Sequence, residues 1–183
     1  MKIIVGMSGA SGSNYTLALL KELHKKKVEV HLIISTWAER VVKEETNTKL
    51  SDYKKFAKKV YSNEDLAASI SSSSFLVDGM IIIPASVKTC SEIVHAHTST
   101  LLTRCADNML KTKKPLVIAF RETPISPPAI ENLYKLSIFG AIILPLSPGF
   151  YHKPKKMADL EAFIVGKGLD LLGISNTTFK RWE

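Results

Sequence analysis

The pair Arg121-Glu122, in the stretch VIAFRETP, sets a guanidinium beside a carboxylate directly after an apolar run. The first can hold an anion in a fork of N–H donors, and the second can carry a proton. Upstream, PASVKT places Ser86, Val87, Lys88 and Thr89 after another apolar run, DGMIIIP. Hydroxyls and an ammonium at the start of a helix suit an anion, because the first N–H groups of a helix lack partners and its dipole is positive there. At the N-terminus, VGMSGASGS spaces Gly6, Gly9 and Gly12 three apart among small residues. Such a turn lets a ligand, often a phosphate, approach the backbone. It equally lets a helix pack close against a strand. Together these residues could bind a phosphate ester and move a proton beside it.

The glycine spacing narrows the ligand. A dinucleotide site would read G-x-G-x-x-G, with an acid near the end of the second strand for the ribose. Here the spacing is G-x-x-G-x-x-G, and the second apolar run leads into Ser35-Thr36-Trp37. The Walker spacing G-x-x-x-x-G-K-[ST] is absent too, which speaks against ATP or GTP. Hydroxyls at the next two strand ends favour a mononucleotide such as FMN.

Something has to carry these residues. Apolar runs at 2–7, 28–34, 78–84, 115–120 and 140–145 predict five buried strands. Helices are predicted at 13–26, 36–45, 86–94, 98–111, 128–139 and 156–172, the first with Thr16, Leu19, Leu20 and Leu23 at i, i+3, i+4, i+7. A short helix is expected at 64–71, the polar stretch 47–64 fits no element, and SISSSS at 69–74 reads as loop. Strands alternating with helices mean an α/β fold, a three-layer sandwich around a mostly parallel sheet. Ligands in such folds bind beyond the carboxyl ends of the strands. The segments SGASGS, STW, PASVKT, RETP and PLSPGFY occupy those ends, and all are rich in hydroxyls, charge, Pro or Gly.

Composition bounds the rest. A chain of 183 residues, 45% hydrophobic and 23% charged, suits one domain across 1–183. Its longest apolar runs are strand-sized, so no membrane segment is expected. Cys90 and Cys105 lack any metal-ligand spacing, which predicts reduced thiols, no metal and a cytoplasmic location. The net charge of +8 comes from lysines scattered in short clusters such as Lys25–Lys27 and Lys113-Lys114. No nucleic-acid motif accompanies them, so they read as solvated faces, with a pocket for an anionic small molecule as second reading.

Five segments carry a resemblance: VGMSGASG (5–12), AASISSSSF (67–75), PASVKTCSEI (84–93), LLTRCAD (101–107) with Lys111 and PLVIAFRETP (115–124), and FYHKP (150–154). In order and spacing they resemble the UbiX-type flavin prenyltransferases, over nearly the whole chain. The resemblance implies a Rossmann-like flavoprotein, assembled as a homo-oligomer, a dodecamer in the family. It implies reduced FMN and dimethylallyl monophosphate as ligands, no metal, and a prenylated FMN product that serves a UbiD-type decarboxylase. For FMN it assigns Gly9, Ala10, Ser11, Ser35, Ser86, Val87, Lys88, Thr89 and Arg104. For the substrate phosphate it assigns Lys111, Arg121, Tyr151 and Lys167. It makes Glu122 the catalytic acid/base, Glu45 a second acid for ring closure, and Ser11 a proton relay near the flavin N-5 nitrogen. Trp182 matches a tryptophan near the family's C-terminus. The family more often has arginine at Lys167, and usually glycine where Glu92, His97 and Ser73 stand.

Two other readings differ in chemistry. An FMN-dependent cysteine decarboxylase would need a histidine base, for which His95 and His97 are available, and a P-x-M-N-type clamp, which is absent. A non-catalytic flavin carrier subunit of an aromatic-acid decarboxylase would bind FMN and leave it unchanged.

Overall fold

The computed structural model describes residues 1–182. Six strands form one sheet: β1 (Lys2–Met7), β2 (Glu29–Ile34), β3 (Lys59–Ser62), β4 (Gly79–Ala85), β5 (Leu116–Phe120) and β6 (Ile142–Pro145). All of them pair in parallel, in the spatial order β3-β2-β1-β4-β5-β6. The helices are α1 (Ser13–Lys25), α2 (Thr36–Glu45), α3 (Leu50–Lys54), α4 (Val87–Val94), α5 (Leu101–Lys111), α6 (Pro127–Ile138) and α7 (Met157–Leu171).

The strands read as apolar runs because both faces of the sheet are covered. Ile3, Val5 and Met7 of β1 enter a core built with α1, α2, α3 and α7, while Ile4 enters the opposite core built with α4, α5 and α6. Alternate residues of β5 divide the same way, Val117 and Ala119 to the first core and Leu116, Ile118 and Phe120 to the second. This is the three-layer α/β sandwich expected, with a sheet that is wholly rather than mostly parallel.

Two segments differ from expectation. The stretch 47–64 contains α3 and the edge strand β3, whose sequence KVYS exposes Lys59 and Ser62 and buries Tyr61. An edge strand this short shows no apolar run. The helix expected at 64–71 is instead a single 3₁₀ turn at Ser69–Ser71. Leu66, which such a helix would have to bury, is exposed, and the carbonyls of Ile70 and Ser71 accept hydrogen bonds from the Cys105 thiol and the Asn108 amide of α5.

The strand order reverses at β1: the chain moves out through β2 and β3, then returns to β4 on the other side of β1. Diverging connections there open a crevice at the carboxyl edge, the place where sheets of this Rossmann-like order take ligands. Ser8 ties the two sides together. Its hydroxyl donates to the Pro84 carbonyl at 2.8 Å and accepts the Ser86 N–H at 2.8 Å.

Candidate functional site

A cleft of about 530 Å³ occupies that crevice. The caps of three helices line it: Ser35, Ser86 and Thr100. Ser35 accepts the Ala38 N–H of α2 at 3.1 Å, Ser86 the Thr89 N–H of α4 at 3.3 Å, and Thr100 the Thr103 N–H of α5 at 3.4 Å. A cap satisfies one of the first-turn donors and leaves others for a ligand. The positive ends of three helix dipoles therefore converge on one space, which favours an anion.

Lys88 adds less charge than its sequence position suggests, because its Nζ lies 2.6 Å from the Glu92 carboxylate, also in the lining. Asn63, at the end of β3, accepts the Leu102 N–H on its side chain at 3.0 Å and the Leu101 N–H on its carbonyl at 2.8 Å. It fixes the start of α5 against the sheet. Sequence reasoning missed Asn63 because it missed β3. It missed Ser8 as a tie because that serine sits among other small residues.

Of the residues expected at a flavin, Gly9, Ser35, Ser86, Lys88 and Thr89 line the cleft. Ala10, Ser11 and Val87 neighbour it in the chain without lining it, and Val87 packs against the α4–α6 core. Arg104 stands outside it, exposed on α5, with its guanidinium 3.5 Å from the Thr98 hydroxyl. The glycine turn has contacts of its own. A Cβ on Gly9 would sit 2.5 Å from the Trp37 Cβ, so this glycine admits the tryptophan of α2. Gly12 has φ +111, a conformation that glycine adopts without strain.

Glu45 ends α2 against the start of α1. Its carboxylate accepts the Gly12 N–H at 3.0 Å, the Ser13 N–H at 3.2 Å and the Ser13 hydroxyl at 3.0 Å. Burial raises its pKa, but the hydrogen bonds from Ser11, Gly12 and Ser13 outweigh that and hold it below the usual carboxylate value. Glu45 is thus an anion on a helix N-terminus, and Ser11 faces it.

Arg121 and Glu122 leave β5 next to the α4 end of the cleft, where the Arg121 N–H donates to the Ala85 carbonyl at 3.1 Å. Both side chains are exposed, and the Glu122 carboxylate accepts the Thr123 N–H at 3.1 Å. Tyr151, Lys167 and Trp182 meet in a separate aromatic cluster. The Tyr151 ring lies edge-on to Phe163 at 5.6 Å and to Trp182 at 5.3 Å. Lys167 holds its ammonium 5.7 Å from the Phe163 ring and 5.3 Å from that of Phe179. His152 stacks on Phe163 at 5.2 Å, and both its ring nitrogens are buried without a hydrogen-bond partner among the described residues.

Lys111 stands apart from all of these. It ends α5 just before β5 begins, at the opposite edge of the sheet, and pairs with Asp107. Cys90 and Cys105 are free and buried, and burial pushes each thiol up to about 12. Among the described residues no His/Cys/Asp/Glu group could hold a metal ion, and no helix is long and apolar enough to cross a membrane.

Known proteins share this fold. The Flavoprotein family model matches residues 1–160. A flavin prenyltransferase UbiX of Saccharolobus solfataricus is 45% identical, with 100% of this chain and 92% of that protein covered. The crystal structure of AnUbiX (PadA1) in complex with FMN and dimethylallyl pyrophosphate superposes with a TM-score of 0.97 at 39% identity, covering 100% of this chain and 97% of that one. A dodecameric FMN-dependent UbiX-like decarboxylase from Escherichia coli O157:H7 gives a TM-score of 0.97 at 38% identity, with 100% of both chains covered. With a Rossmann-like flavoprotein sheet, an anion cleft at its switch point and this identity along its whole length, the chain belongs to the UbiX family of flavin prenyltransferases.

Proposed function

We propose that the protein joins the dimethylallyl unit of dimethylallyl monophosphate to reduced FMN, at N-5 and at ring carbon 6, and supplies the product to a UbiD-type decarboxylase in the cytoplasm. FMN is here a substrate, and reduced flavin supplies the nucleophilic nitrogen. One C–O bond breaks, one N–C and one C–C bond form, and inorganic phosphate leaves with the proton from N-5. The proton lost at ring carbon 6 balances one gained at the alkene.

The cleft fits a flavin mononucleotide. Its helix N-termini and the Ser35, Ser86 and Thr89 hydroxyls suit a phosphate, and its volume lies within the range of small-molecule sites. An allylic monophosphate is a poor leaving group, so the protein must neutralise and protonate it. Arg121, Tyr151 and Lys167 are the groups for neutralisation, with Lys111 from another copy. Lys167 keeps the charge of an arginine but lacks its bidentate fork. Glu122 is the proton carrier.

The observation that carries this reading is the position of Arg121-Glu122 at the end of β5, bonded to Ala85 next to the α4 cap. A cation and a proton carrier thus adjoin the anion cleft. The test is anaerobic incubation with FMN, dithionite and dimethylallyl monophosphate, followed by mass spectrometry of the extracted flavin. The expected product is a flavin heavier by one five-carbon unit, with Glu122→Gln slowing its formation by at least ~10²-fold while FMN stays bound. Unchanged FMN on folded wild-type protein would instead support the carrier reading.

A further inference from the structure

Residues 174–182 lie back along α7, and their fastening is more elaborate than a loose terminus requires. Arg181 grips Asp170 with both arms, Nη2 to Oδ1 at 2.8 Å and Nη1 to Oδ2 at 3.0 Å. The buried Asn176 amide donates to the Gly166 carbonyl at 3.1 Å and to Asp170 Oδ1 at 2.8 Å, while its oxygen accepts the Thr178 hydroxyl at 2.7 Å. Gly166 is the bed of this strap: a Cβ there would meet Thr178 Oγ1 at 2.2 Å and Phe179 Cδ1 at 2.4 Å. Beyond the fork Trp182 reaches Tyr151, and before it Phe179 reaches Phe163 at 5.0 Å and the Lys167 ammonium.

The strap also builds a pocket. Lys180, Arg181 and Trp182 form one side of a hollow of about 380 Å³, and Tyr151, His152 and Lys153 form the other. Among the described residues its lining has cations and aromatic rings and no carboxylate, a combination suited to an anion with an apolar tail. The nitrogens of His152 have no partner among the described residues, which is unusual for buried polar atoms.

We propose that Asp170 is a positioning residue: through its paired bonds to Arg181 it seats Trp182 against Tyr151, and so sets how tightly the enzyme holds its prenyl phosphate. This rests on the prenyltransferase reading. Asp170 does not touch the pocket and takes no part in bond making. Two parallel charge-assisted bonds fix the direction of the strap as well as its place, which a single bond would not.

The experiment compares wild type, Asp170→Asn and Asp170→Glu anaerobically, with dithionite and with FMN in excess over enzyme because reduced FMN is consumed in each turnover. Steady-state kinetics vary dimethylallyl monophosphate, and brief trypsin treatment reads cleavage after Lys180 and Arg181 by mass spectrometry. Asp170→Asn is expected to raise KM about tenfold with kcat within about twofold, because the lost interaction is one of binding. It should also speed cleavage of the strap at unchanged FMN content, and Asp170→Glu should recover part of both effects. Unchanged KM and cleavage in Asp170→Asn, or a fall in kcat alone, would overturn the inference while leaving the activity standing. A wild-type enzyme inert toward dimethylallyl monophosphate would overturn both.

Discussion

Glu45 occupies the place where the first N–H groups of α1 need an acceptor, and that position decides its charge. The donors of Gly12 and Ser13 and the hydroxyl of Ser11 favour the ionised form over the neutral one. Its folded-state pKa therefore lies below its unfolded value. Such a group stabilises the fold fully above the unfolded value, about 4.3 for a glutamate, and that contribution is lost as pH falls through the lower folded value. Glu45→Gln should cost about 1 kcal/mol at neutral pH, a figure kept small because the side chain is partly exposed to solvent. Urea denaturation of both proteins should show this gap near pH 7 and its closure toward pH 3. A variant of unchanged stability that fails in turnover would give Glu45 a chemical role in place of the capping one. Only its position in KEETN was available from the sequence. Nothing in that run shows that α2 ends against the start of α1.

At the scale of elements, the caps do most to define the cleft. Ser86 closes α4 and is itself held by Ser8 across the β1–β4 seam. Ser86→Ala removes the acceptor for the Thr89 N–H and a hydroxyl from the lining, so it should act twice. Loss of the cap costs about 1 kcal/mol, seen as a fall of roughly 2–4 °C in Tm of the FMN-free protein. Loss of the hydroxyl should weaken FMN binding about tenfold in a fluorescence titration, as one hydrogen bond to a charged group would. Equal FMN affinity in the variant would take the phosphate away from this helix. This part of the site was legible in the sequence because a hydroxyl following a buried apolar run is both the end of a strand and the start of a helix. The β3 side was not. An edge strand wet on one side has no apolar run to announce it, so Asn63 and the anchoring of α5 stayed hidden with it. Nor do the separate strand ends show that Tyr151 packs with Phe163 and Trp182, and that Lys167 lies over the same Phe163. That grouping depends on the C-terminal strap folding back over Gly166.

The whole molecule sets a limit on what one chain can do. Helix α5 runs opposite to the strands, so Lys111 lies at the edge where β4 and β5 begin, near the Pro115 carbonyl that accepts the Met80 N–H. Arg121 leaves the other edge, and the five residues of β5 between them span roughly 16 Å at ~3.3 Å each. A phosphate clamp using both side chains has to draw them from different copies. The surface agrees with assembly: α6 exposes Ile130, Tyr134 and Ile138, at 56%, 66% and 62%, as a stripe spaced four residues apart, an apolar face a lone subunit would leave in water. The related protein from Escherichia coli O157:H7 is dodecameric. Complementation tests the shared clamp directly. Lys111→Ala and Arg121→Ala should each abolish prenylation as pure assemblies. Co-expressed in equal amounts, they should regain about a quarter of wild-type activity, because a site needs a Lys111-bearing copy on one side and an Arg121-bearing copy on the other, each present with probability about one half in a closed ring. Activity no greater than the mean of the two parents would place both residues in one subunit's site or remove Lys111 from the clamp. The choice between those two follows from the Lys111→Ala assembly alone, which keeps its activity only if Lys111 plays no part.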